Sequence, residues 1–163
     1  MSSPIQRFLD VYKAECTTTL KVMKAYPADK PDFKPHERSG TAMQLMHTFG
    51  IEQNVAAAAV DGTLKMPPTF PPAPPTIGEA IAAFDKGRAA LEQALGQVKD
   101  ARLEEMAPFF TGPGKMGDVP VGSILWLMLM DQVHHRGQLS VYIRMAGGKV
   151  PSIYGPSADE PWF

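Results

Sequence analysis

The stretch Asp131-Gln132-Val133-His134-His135-Arg136 brings a carboxylate, two imidazoles and a guanidinium together in one short segment. Such groups carry protons, hold metal ions or clamp anions. They follow "VGSILWLMLM", one of the most apolar runs of the chain. A helix turns about 100° per residue, so Asp131 and His135, as i and i+4, lie about 40° apart on one face. His134 falls about 60° to the other side of Asp131 by the same geometry. Both imidazoles can point near Asp131, and spacing alone does not choose between them. Ile124, Leu127 and Met128 precede Asp131 on roughly the same side, which sets the polar pair in a face expected to be buried.

A buried carboxylate without partners is strongly disfavoured. It finds relief locally, in an imidazole or in Arg136, or it holds a metal. A metal inside a helical bundle draws ligands from facing helices, and "LMHTFGIEQ" offers His47 amid apolar neighbours. His47, Asp131 and His135 would supply two imidazoles and one carboxylate. That set suits a divalent first-row metal with positions left open to water or substrate. Each residue also has a plainer role. Buried His–Asp pairs are often structural contacts, and a lone His47 is otherwise a satisfied core or edge histidine. Arg136 and Tyr142 are candidates for orienting a substrate, although such an arginine more often pairs with a carboxylate at a helix contact. His36 reads as a loop histidine, and Glu52 and Gln53 as residues facing solvent or an interface. The ten methionines read as packing material. No G-x-S-x-G, no cysteine flanked by a base and no Gly-rich phosphate loop is present.

The elements that must position these groups are helical. Ile5, Phe8, Leu9, Tyr12, Cys16, Leu20 and Met23 recur at helical spacing and predict a first helix over about 3–26, with Pro4 in its first turn and Pro27 at its end. A second helix is expected over about 39–60, from Ser39 as N-cap to a stop at Asp61-Gly62. A third, about 76–98, opens on Thr76 with Glu79 as a capping box. The fourth, about 120–146, ends at Gly147-Gly148. Between the second and third, "DGTLKMPPTFPPAPP" holds six prolines and reads as stiff, extended linker. A connection this long can cross the length of a bundle. Residues 100–119 read as a loop with one short helix at "ARLEEM". Residues 147–163 form an irregular tail with Ile153, Tyr154 and Trp162 as apolar anchors. No strand alternation stands out. The expectation is an all-α four-helix bundle, a single domain over 1–163, with a long crossover between helices 2 and 3.

Composition agrees with that class. The chain of 163 residues is 44% apolar and 20% charged, within the range of one globular domain. With a formal net charge of −1 and no basic face, nucleic acid is not an expected partner. The N-terminal stretch is too charged for a signal peptide, and no run reaches a membrane span. The single cysteine, Cys16, forbids an intramolecular disulfide. A cytoplasmic protein is expected.

"HHRGQLSVYIRMAGGKVPSIYGPSADE" closely resembles the C-terminal signature of the DinB (DinB/YfiT-like) family, and His47 in "AMQLMHTFGIE" stands where the family's second helix carries a histidine. The resemblance covers essentially the whole chain. It implies an up-down-down-up four-helix bundle and a divalent metal (zinc, nickel, iron or manganese) held by three side chains, usually histidines. One comes from the second helix and two from the last, spaced H-x₃-H with the second before R-G-Q. Carried over by position, these are His47, Asp131 and His135. Asp131 stands where histidine is usual and exchanges a neutral nitrogen donor for an anionic oxygen. His134 then becomes an alternative ligand or a partner that orients Asp131. The resemblance further implies a homodimer and a metal-dependent enzyme of the thiol-dependent transferase or hydrolase class. Its partners would be a small-molecule substrate and a low-molecular-weight thiol. The alternative is a non-catalytic metal-binding or structural bundle with a sensing, storage or stress role.

Overall fold

Four helices begin and end where capping chemistry dictates in the computed structural model, which describes residues 2–163. The first, α1 (Pro4–Lys24), starts on Ser3, whose side chain accepts from the Gln6 N–H, with Pro4 in its first turn. The second, α2 (Ala42–Asp61), starts on Thr41 rather than Ser39, because Thr41 and Gln44 form a reciprocal capping box. It stops at Gly62, whose φ of 72° is left-handed and open to glycine. The third, α3 (Ile77–Gln97), has the expected Thr76 cap on the Glu79 N–H. The fourth, α4 (Val121–Met145), follows Pro120 and gives way to Gly147 at φ 82°.

Side-chain contacts fix the helix directions. Gly50 approaches Ala83, and Gly87 approaches Gln53, so α2 and α3 run parallel. Phe8 meets Trp126 and Thr19 meets Gln132, so α1 and α4 are parallel as well. Gly40 meets Tyr142 while Glu52 meets His135, so α2 and α4 are antiparallel. This is the up-down-down-up bundle. It explains the proline-rich crossover: α2 is 20 residues long, about 30 Å, and the chain must return that length before α3 starts beside it. Gly87 permits the close α2–α3 contact, since a Cβ there would lie 2.6 Å from Gln53 Cβ.

Residues 100–120 are more ordered than a loop. After a 3₁₀ turn over Asp100–Glu104, β1 (Met106–Gly112) and β2 (Lys115–Pro120) pair antiparallel from Met106↔Pro120 to Gly112↔Lys115. The alternation is weak because only Ala107 and Phe109 of this hairpin are buried. The tail is irregular, as expected, but its anchoring differs. Tyr154 and Trp162 are 65% and 57% exposed. The tail is held instead by polar contacts, Arg144 to Asp159 and Lys21 to Glu160, with Ile153 partly buried against the core.

The core lies between the helices and includes Phe8, Met23, Met46, Phe49, Phe84, Leu91, Ile124 and Leu139. Among the described residues, no helix is long and apolar enough to cross a membrane.

Candidate metal centre

Two i,i+4 pairs on α4, offset by one residue, face different neighbours. Gln132 and Arg136 point inward to α1. Gln132 Nε2 donates to Thr19 Oγ1 at 2.9 Å, and its carbonyl accepts from Gln53 Nε2 at 2.7 Å. Tyr12 donates to the Gln53 carbonyl oxygen. Arg136 is 1% exposed. Its guanidinium donates to the Glu15 carbonyl and to Thr19, pairs with the Glu15 carboxylate at 2.7 Å, and lies under the Tyr154 ring. Arg136 is therefore spent on a helix contact. Tyr142 donates to the Gly40 carbonyl at 3.0 Å. Neither lines the cavity described below. Cys16 lies against Gln132 in this layer, and burial pushes its thiol up to about 12.

Asp131 and His135 face α2. There they meet Glu52, not His47. His135 Nδ1 lies 2.6 Å from Glu52 Oε1, within reach for a ring N–H to donate, and 3.9 Å from Asp131 Oδ1. One ligand atom from each of the three residues lies within 4.8 Å of the others. Glu52 is 3% exposed, and its second oxygen, Oε2, is buried without a hydrogen-bond partner. Burial pushes the Glu52 carboxyl up to about 7, against the pull of His135. The hydrogen bond to Glu52 raises the His135 imidazole in turn. The pair thus retains a proton readily near neutrality. Phe49 meets the His135 ring edge-on and helps fix its plane.

His47 is not brought to this cluster. Five residues separate it from Glu52, about 140° around α2, and its Nε2 donates instead to the Pro71 carbonyl of the crossover at 3.0 Å. His134, the rival to His135, is exposed and accepts from the Gln138 amide at 2.8 Å. Glu52 and Gln53 are both buried, which corrects the expectation that they face solvent or an interface. A signal for this exists in the chain: they sit three and four residues after Phe49 and before Ala56, on the stripe that α2 buries.

A cavity of about 490 Å³ opens beside the cluster. Thr48, Ile51 and Val55 of α2 form one wall, and Leu127 and Met128 of α4 another. The crossover adds Met66, Pro68 and Phe70, and the hairpin adds Phe109 and Phe110. Glu52 and Asp131 are the charged residues of the lining.

The model of the DinB family matches residues 1–162. The chain belongs to the DinB family. An uncharacterized protein of Bacillus subtilis (strain 168), YrdA, is 27% identical over 161 residues, 98% of this chain and 93% of that one. Among solved structures, a DinB-like protein from Bacillus cereus ATCC 10987 superposes with a TM-score of 0.75 at 22% identity, covering 90% of this chain and 95% of that one. A DinB-like protein of B. subtilis, YjoA, gives a TM-score of 0.67 at 18% identity, covering 90% and 97%. At these identities the two structures bear on the DinB fold alone. The cluster of this DinB chain, one imidazole and two carboxylates, has the donors and size for a divalent cation.

Proposed function

We propose that this DinB-family chain binds a divalent metal through Glu52, Asp131 and His135 and uses it on a small molecule held in the adjoining cavity. The observation that carries the reading is the unpartnered, buried Oε2 of Glu52. Native interiors rarely leave such an atom unsatisfied, and a cation held jointly with the Asp131 carboxylate and the His135 ring would satisfy it. His135 contributes a ring held between Glu52 and Phe49. Asp131, less buried than Glu52, keeps its side of the cluster toward the cavity. Two carboxylates and one imidazole shift preference among zinc, nickel, iron and manganese toward the oxygen-preferring iron and manganese.

Bound there, the metal supplies Lewis acidity that lowers the pKa of a water or thiol. With that chemistry we read the protein as a metal-dependent enzyme of the thiol-dependent transferase or hydrolase class that the family resemblance implies. The test is metal analysis of protein purified without a histidine tag, followed by melting with added Mn²⁺, Fe²⁺, Zn²⁺ or Ni²⁺. About one equivalent and a higher melting temperature are expected, since a ligand bound only by the native state stabilises it. Less than about a tenth of an equivalent, with no rise in melting temperature, would overturn the reading.

A further inference from the structure

We infer that His47 is a positioning residue: it latches the proline-rich crossover over the cavity beside Glu52 and Asp131, and the crossover is a hinged lid on that cavity. What the lid admits rests on the proposed function, a small molecule held in the cavity. Its mechanics do not depend on the metal.

Six of the residues from Lys65 to Pro75 are prolines, which carry no N–H. The segment therefore cannot zip onto a helix or strand through its own donors, and it is tied down through its carbonyls. One carbonyl is used. His47 Nε2 donates to Pro71 at 3.0 Å, and among the described residues this is the one hydrogen bond that joins residues 65–75 to the rest of the chain. Apolar contact adds little. No residue of that segment is buried, and Met66, Pro68 and Pro74 are the ones partly covered. Two hollows, of about 260 Å³ and about 490 Å³, adjoin it along α2, and Ile51, Val55, Pro68 and Phe70 line both.

The larger hollow is the cavity beside Glu52 and Asp131. Met66, Pro68 and Phe70 reach it as every second residue, the pattern of an extended chain that turns one face inward. Proline-rich chain is stiff, so this wall swings as one piece between fixed ends. At one end the Thr63 and Leu64 N–H groups donate to the Ala58 carbonyl, just past Gly62 at φ 72°. At the other, Thr76 caps α3. A segment held by one hydrogen bond and few buried contacts lies at the low end of local stability, where lids over binding sites are found. His47 lines neither hollow. It acts on the cavity from outside, through Pro71.

Thiol labelling of the full chain in EDTA reads the lid directly. Val55→Cys places a thiol beneath the crossover with little change in size, and the native Cys16, 0% exposed, is the internal control. A thiol reached in the open form reacts in proportion to the open population. His47→Ala in that background should speed labelling of the introduced thiol about threefold to tenfold, the range set by one hydrogen bond. His47→Gln, which keeps an N–H at similar reach, should restore most of the slow rate. Cys16 should stay unlabelled, and the melting temperature should not change with the residue at 47. Ile51→Cys repeats the measurement from the neighbouring turn if Val55→Cys does not fold. An introduced thiol that reacts equally fast with and without the His47 ring would overturn the inference. So would Cys16 becoming reactive in step, because His47 would then hold the bundle together rather than the lid. Metal analysis moves neither result, since the labelling is done without metal.

Discussion

The two polar pairs of α4 differ by one residue in sequence and by everything in circumstance. Gln132 and Arg136 enter a closed network in which Tyr12, Gln53, Thr19, Glu15 and Tyr154 each have partners. Asp131 and His135 enter an open one, where Glu52 retains a buried oxygen with nothing to bond and a cavity lies alongside. Burial alone does not mark a functional group. Arg136 is among the most buried side chains of the protein, and it is structural because its donors are used. Glu52 is comparably buried and is the candidate ligand because one oxygen is not. Satisfaction of hydrogen bonds, rather than depth, separates the two sides.

Breaking the closed side should produce the largest effect. Arg136→Met removes the cation from the Glu15 carboxylate, which is only partly exposed, takes one of two donors from Thr19 and leaves the Tyr154 oxygen without the guanidinium. A loss of about 3 kcal/mol is expected in chemical denaturation, with metal stoichiometry per folded molecule unchanged. An unaltered denaturation midpoint, or a stable fold that has lost its metal, would erase the distinction between the two sides. A smaller loss, about 1–3 kcal/mol, is expected for Gly87→Ala, whose methyl would press on Gln53 at the point where that glutamine joins the network. Helix propensity alone predicts the opposite sign, a gain of up to about 1 kcal/mol, so the direction decides.

The smallest effect belongs to the end of the tail beyond Tyr154, which lies outside both networks. Its contacts with Arg144 and Lys21 hold the Asp159 and Glu160 carboxyls below their usual range. Their contribution is present above the unfolded-state values of about 4 and disappears as pH falls through the lower folded values. As pH falls through those lowered folded values, below about pH 4, the amides of Val150 and Ser152, which donate to Asp159 and Glu160, should progressively lose protection while the helices persist. Tail amides that stay protected in acid would show that the tail is held by apolar contacts instead.

Much of this arrangement is legible before folding, and the illegible parts have physical causes. Apolar spacing, Pro4, Thr76, Gly62 and Gly147 are local signals, and local signals set helix ends. The i,i+4 spacing of Asp131 and His135 likewise makes them neighbours in any helix. Which imidazole faces inward depends on how α4 is rotated against α2, and no local rule supplies that. Glu52 was hidden because α2 is alanine-rich and apolar around most of its circumference. Its buried stripe is therefore faint, and a glutamate followed by a glutamine reads as surface. His47 is ligand-like by residue type, yet its ring is taken by Pro71 in a crossover whose path a sequence pattern does not reveal. The hairpin is illegible in the sequence because two buried residues make too short an alternation, with Pro108 interrupting it.

The central claim, that the open side is a metal site completed by Glu52, is tested most directly by calorimetric titration of Mn²⁺ and Zn²⁺ into the wild-type chain, Glu52→Gln and His47→Ala. One site is expected in the wild type. Affinity should fall at least about tenfold in Glu52→Gln and stay within about twofold in His47→Ala. The reverse pattern, with His47→Ala abolishing binding and Glu52→Gln retaining it, would contradict the account and move the site to His47.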